Sequence, residues 1–180
     1  MLFITGASGF LGHYLLPKLL KNYRPSQIVC LFYNQEKGTE KENFVKDSKI
    51  LMEYGDIRDK KCVERIYKKY KIDEVIHLAA VIKSESKQEF IDVNINGTKY
   101  MVEFTKNSKI KKFIFTSTDF VLYKTRNTYR DTKLEAEKIV KASKLNYVVL
   151  RPAPIYGPGD DKNFDSLFPL IEKFPIIPAV

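Results

Sequence analysis

Tyr129 and Lys133 stand four residues apart in YRDTKLEAE, so on a helix the phenol and the ammonium share one face. A phenol with a pKa near ~10 is a poor base at neutral pH. A neighbouring ammonium favours the phenolate, and a second positive charge would add to that. Bringing the phenol to neutrality takes roughly 4 kcal/mol of differential stabilisation. Spacing alone proves little. With 11 tyrosines and 25 lysines in 180 residues, chance supplies about one or two such pairs, and the chain has four: Tyr14/Lys18, Tyr33/Lys37, Tyr67/Lys71 and Tyr129/Lys133. Only the last follows an apolar run that ends in hydroxyls: Thr116, Ser117 and Thr118.

A second constellation lies at the N-terminus. The apolar run Leu2 to Thr5 leads into TGASGFLG, with Gly6, Gly9 and Gly12 spaced by three. At a first strand-to-helix turn, one glycine serves a tight turn and one lets a helix pack on the strand. A third lets backbone approach a pyrophosphate, which the helix N-terminus then attracts. The spacing departs from G-x-G-x-x-G, so position and context carry the reading. That fingerprint also expects an acid ~20 residues on, to hold a ribose. Phe32 and Tyr33 occupy that region, and the next acid is Glu36. This leans the expected cofactor towards the 2′-phosphorylated form. Lys37 could reach such a phosphate, with no arginine nearby in the sequence.

The elements that must position these groups alternate. Strands are expected at Leu2 to Thr5, Ile28 to Phe32, Ile50 to Tyr54, Val75 to Leu78, Phe113 to Thr116 and Tyr147 to Leu150. Helices are expected at Phe10 to Lys21 (with Pro17 disturbing it), after Asp59 as N-cap, at Phe90 to Phe104 and at Tyr129 to Ala142. Residues 34 to 48 read as a loop or weak surface helix, and a short amphipathic segment surrounds Leu167, Leu170 and Ile171. Short continuous apolar strands alternating with helices predict an α/β fold, a doubly wound parallel sheet of six or more strands.

Composition removes other classes. The chain is 44% hydrophobic, which excludes a disordered protein, and no apolar stretch approaches a membrane span. The two cysteines, Cys30 and Cys62, make neither a disulfide framework nor a zinc site. His13 and His77, the only histidines, are several elements apart without a ligand cluster, which argues against a metal. The opening apolar run breaks too early for a signal peptide, so a reducing cytoplasm is expected. The net charge of +9 comes mostly from scattered lysines, with no stripe interleaved with aromatics. That fits a solvated surface, favourable to an anionic small substrate, better than a nucleic-acid binder.

These segments together resemble the extended short-chain dehydrogenase/reductase superfamily, and within it the NAD-dependent epimerase/dehydratase family, which mostly acts on nucleotide-activated sugars. The resemblance runs from residue 2 to about residue 175. It is carried by TGASGFLG, YGDIRD (54 to 59), VIHLAA (75 to 80), NINGT (94 to 98), YRDTKLEAE (129 to 137) and LRPAPIYGPGD (150 to 160). It implies a Rossmann fold over residues 1 to 160, with 161 to 180 opening a C-terminal substrate-binding part. It makes Tyr129 the catalytic acid/base, Lys133 its electrostatic partner, and Thr118 the catalytic hydroxyl, with Ser117 as runner-up. It implies NAD or NADP on Gly6, Ser8, Gly9, Phe10, Leu11, Gly12, Tyr33, Asp56, Ile57, Leu78, Ala79, Ala80, Asn94, Thr116, Pro152 and Ile155. Asp56 would accept from the adenine amino group. Asn94 also reads as a buried polar anchor or part of a proton path, and Tyr156 as a substrate-site or sheet-edge residue.

Two departures stand out. Ten residues separate Thr118 from Tyr129, fewer than in most of the family, and the chain stops where the substrate-covering segment should begin. Cofactor binding with weak turnover of sugar nucleotides is therefore expected of residues 1 to 180. The leading expectation is hydride transfer between a nicotinamide and a hydroxyl-bearing carbon of a nucleotide sugar, as epimerase, dehydratase or reductase. The alternative is a non-catalytic dinucleotide-binding module of a larger assembly. A homodimer is one assembly open to either.

Overall fold

The computed structural model describes residues 1–33, 40–108 and 110–158. Six parallel strands form one sheet in the order β3-β2-β1-β4-β5-β6. They are β1 (Leu2–Thr5), β2 (Ile28–Phe32), β3 (Leu51–Tyr54), β4 (Glu74–His77), β5 (Lys112–Thr116) and β6 (Tyr147–Leu150). The order reverses direction at β1, so the connections leaving β1 and β4 diverge. A crevice opens there beyond the carboxyl ends of the strands.

Alternation along each strand feeds two cores. In β1, Leu2 and Ile4 pack with Leu16 of α1 (Phe10–Leu19) and Val45 of α2 (Glu40–Asp47). Phe3 faces the other way. It joins Val63 and Ile66 of α3 (Lys60–Lys69), Met101 of α5 (Thr98–Lys106), and Ala136 and Val140 of α6 (Thr128–Ala142). Both faces of the sheet are therefore covered, which is why its strands read as unbroken apolar runs. Full burial of a side chain such as Phe3 or Phe113 contributes about 2–3 kcal/mol.

The helix ends follow from local chemistry. The Asp59 carboxylate accepts from Lys61 N at 2.9 Å and opens α3, while Lys68 and Lys69 complement the dipole at its far end. The Asn127 side chain accepts from Arg130 N at 2.7 Å and opens α6. Pro17 lies inside α1, which continues two residues past it to Leu19.

The helix expected over 90 to 104 is not one regular helix. A short α4 (Lys87–Phe90) passes into a π-helical segment, Ile91–Gly97, before α5 begins. The wider turns rotate the downstream residues. Asn94 and Thr98 are both buried. Of the two readings of residues 34 to 48, loop or weak surface helix, the helix is the one present over Glu40–Asp47, as α2. Glu36, Lys37, the segment around Leu167, Leu170 and Ile171, and the part from 161 to 180 lie outside the described residues. No helix among the described residues is long and apolar enough to cross a membrane.

Candidate active site

The β1–α1 turn is shaped by close backbone contact. Gly6 has φ +71°, and a Cβ there would stand 2.6 Å from Ala79 N, so the turn presses against the chain leaving β4. A Cβ at Gly12 would come within 2.3 Å of Ala7 O, which seats α1 on the turn. Gly9 differs: it is exposed, and a Cβ would meet only Gly6 O at 3.2 Å. It is the N-cap of α1, and no side chain caps that helix. The first-turn N–H groups therefore point at open space with a positive dipole end behind them. This fits a pyrophosphate, which is the part of a dinucleotide that the turn would hold.

A cavity of about 500 Å³ runs from this turn across the strand ends. Gly6, Ser8, Gly9, Phe10 and Leu11 line it, with Tyr33, Asp56 and Ile57 at one end. Leu78, Ala79, Ala80, Thr116, Pro152 and Ile155 line the rest, and Ser117, Thr118, Tyr129 and Lys133 stand at the other end. Two expected cofactor residues are not among the lining groups. Gly12 serves helix packing, as above. Asn94 is wholly buried: its Oδ1 accepts from Val81 N (2.9 Å), and its Nδ2 donates to Val81 O (3.0 Å) and Thr132 Oγ1 (3.1 Å). It anchors the strand-to-helix loop to α6. Tyr156, 64% exposed, is not among the lining residues either.

The hydroxyl cluster is stitched in place. Ser117 N donates to Leu150 O at 2.7 Å and Asp119 N to Pro152 O at 3.1 Å, joining the ends of β5 and β6. Thr118 caps the 3-10 turn Asp119–Leu122, accepting from Phe120 N at 3.3 Å. Burial raises the Tyr129 pKa, the Thr118 hydroxyl against the phenol lowers it, and the Asp119 charge raises it, with a net upward displacement. Ser117 is turned towards Glu137 instead, favouring that carboxylate's ionised form without a well-formed hydrogen bond. Of the two hydroxyls, Thr118 is the one that acts on the Tyr129 phenol.

Lys133 is buried, and burial lowers its pKa to about 7, opposed by the Glu137 charge. Glu137 itself is desolvated, yet Arg151 (2.7 and 2.8 Å), Lys141 (2.9 Å) and Ser117 outweigh this and hold it at about 2. Behind the site, Thr98 Oγ1 donates to Asn94 O at 2.7 Å, so His77 Nε2 must donate to Thr98 Oγ1 at 3.0 Å. Its Nδ1 then accepts from Thr5 Oγ1 at 2.6 Å. Burial and the Lys133 charge push the His77 pKa down to about 3, so the ring is neutral and structural.

The structure adds lining residues that spacing did not single out. Arg58 stands inside YGDIRD and Asp119 directly follows Thr118, but helical or strand periodicity gave them no role. Glu89 and Ile82 come from a loop and a short helix with no motif at all. Arg58 also corrects the expectation that no arginine is near Tyr33: its Nη2 donates to Tyr33 OH at 3.1 Å. Among the described residues, no three His, Cys, Asp or Glu side chains converge as metal ligands.

The sheet order, the glycine turn at its switch point and a Tyr-Lys helix beside it define a Rossmann-type fold. The sequence profile of the NAD dependent epimerase/dehydratase family matches residues 2–174, and the chain belongs to that family. It is 34% identical over 193 aligned positions to a dTDP-D-glucose 4,6-dehydratase of Dictyostelium discoideum, covering 86% of this chain and 44% of the relative. It is 28% identical to the ceramide reductase of Caulobacter vibrioides, covering 98% and 53%. The crystal structure of UDP-glucuronic acid 4-epimerase from Bacillus cereus in complex with NAD superposes with TM-score 0.75 at 26% identity, covering 96% and 63%. The chain spans about half the length of the curated relatives it matches.

Proposed function

We propose that the protein binds a nicotinamide dinucleotide across the strand ends and catalyses proton-coupled hydride transfer at a hydroxyl-bearing carbon of a nucleotide-activated sugar. The observation that carries this is the convergence of the open helix N-terminus at Gly9 and the Thr118–Tyr129–Lys133 cluster on one cavity. The sugar-nucleotide class is supported by the dehydratase and epimerase relatives. A lipid alcohol or ketone is the second reading, favoured by the reductase relative.

The bound cofactor supplies the hydride acceptor or donor. The first-turn N–H groups of α1 hold its diphosphate. Thr118 Oγ1 and Tyr129 OH jointly hydrogen-bond the substrate oxygen, so the reacting carbon is oriented before any proton moves. With its raised pKa, Tyr129 rests as the acid and donates when a carbonyl is reduced. In the oxidising direction it takes the hydroxyl proton, and a charged Lys133 lowers the energy of the phenolate.

The test is direct titration of the protein with NAD and NADP, followed by nucleotide sugars while reduced nicotinamide is monitored. Binding of a dinucleotide, with turnover abolished by Tyr129→Phe, supports the reading. Absence of dinucleotide binding refutes it, and turnover that survives Tyr129→Phe removes Tyr129 as the acid/base.

A further inference from the structure

Where β2 and β3 end, Tyr33 meets Asp56 and Arg58 of YGDIRD, and the three side chains form one cluster on the cavity. Arg58 Nε and Nη2 donate to Asp56 Oδ2 at 2.8 and 2.6 Å, and Nη2 also donates to Tyr33 OH at 3.1 Å. The guanidinium carbon stands 5.8 Å from the Tyr33 ring centroid. A guanidinium has five N–H donors in a flat fork. These bonds use three, so both donors on Nη1 have no protein partner among the described residues. The side chain is 37% exposed, so it is reachable from the cavity that Arg58 and Tyr33 both line.

In an open parallel sheet, the adenosine ribose of a bound dinucleotide falls beside the end of β2. A carboxylate there bonds the ribose diol and repels a 2′-phosphate. In this chain β2 runs out in Phe32 and Tyr33. The cluster's only carboxylate, Asp56, is tied to Arg58 and so presents little uncompensated negative charge. Among the described residues, this end of the cavity offers a fixed cation with two spare N–H donors beside a phenol hydroxyl. Arg is the side chain whose planar fork matches a phosphate, and charge-assisted bonds of this kind are the strong ones.

We propose that Arg58, together with the Tyr33 hydroxyl, forms a subsite for the 2′-phosphate of an NADP-type cofactor, so that NADP binds more tightly than NAD. The proposal rests on the reading of the cavity as a dinucleotide site. It goes beyond that reading by assigning cofactor choice to a residue after β3 instead of one after β2.

The experiment measures dissociation constants of NAD, NADP, 5′-ADP and 2′,5′-ADP for the wild-type chain, Arg58→Gln and Arg58→Lys. Circular dichroism establishes that each variant is folded. The expected result is that Arg58→Gln weakens NADP and 2′,5′-ADP by about tenfold or more, leaves NAD and 5′-ADP within about threefold, and is partly rescued by lysine. The wild-type preference for 2′,5′-ADP should also shrink as pH falls through ~6, where the phosphate loses its second charge. Equal weakening of all four ligands, no weakening, or a wild-type preference for NAD overturns the proposal while leaving the dinucleotide site intact. Failure of the wild-type chain to bind any of the four overturns the site and the proposal together.

Discussion

The Lys133 ammonium lies 4.3 Å from the centroid of the Phe115 ring and has no carboxylate within ion-pair reach among the described residues. A cation–π contact replaces part of its lost hydration, but not all, and its pKa falls to about 7. The folded state therefore carries a lysine that the unfolded chain solvates better.

Replacing it with methionine should stabilise the fold at neutral pH by roughly 2–4 kcal/mol while removing turnover. The sign follows from linkage. Between the folded pKa of about 7 and the ordinary lysine value of 10.5 the unfolded chain binds more protons, so the wild type gains stability as pH rises across that window. The advantage of Lys133→Met should be largest below pH 7 and fade towards pH 10, read from denaturant midpoints.

His77 gives the same sign of dependence in the acid range. The folded protein keeps the ring neutral down to about 3, whereas the unfolded chain protonates it near 6.5. Its contribution is present in full above pH 6.5 and is lost as pH falls towards 3, by up to about 1.4 kcal/mol per pH unit. A His77→Asn variant should start less stable at pH 8, because the bonds to Thr5 and Thr98 are weakened, and lose less on acidification. Equal acid sensitivity in both proteins would contradict this.

The glycines of the turn separate folding from binding. Gly9→Val should leave the thermal midpoint within a few degrees and abolish dinucleotide binding, because its Cβ meets little protein and enters the space for the pyrophosphate. Gly12→Ala should cost at least about 2 kcal/mol of stability, because its Cβ meets the Ala7 backbone, which has no flexible end to move aside.

At the hydroxyl cluster, Thr118→Val should lower turnover by about 10²-fold or more with cofactor affinity nearly unchanged. Ser117→Ala should have a small effect, since that hydroxyl is directed to Glu137. A reversed order in steady-state rates would return the role to Ser117.

Much of this was legible in the residues. Three strands coincide with the apolar runs that predict them and the other three are off by one residue at one or both ends, because burial on both sheet faces writes itself as Ile, Val, Leu and Phe in sequence. Phe10 to Leu11 and the glycines were marked by a turn that tolerates few alternatives. The π-helical segment was not legible: a 3.6-residue wheel drawn through Phe90, Val93, Met101 and Phe104 runs straight over Ile91–Gly97. Arg58 meeting Tyr33 was equally hidden, because 25 residues and a strand crossover separate them, and only the β2–β3 register brings them together.

The hydrogen bonds behind the site have a fixed polarity. His77 Nε2 gives to Thr98, and Thr98 gives to the backbone carbonyl of Asn94, which has no proton to hand on. The Asn94 amide, in turn, gives to Thr132, whose own proton goes to the carbonyl of Thr128 or Tyr129. Among the described residues, both of these chains end on a peptide oxygen. The buried network is thus a brace and not a conduit.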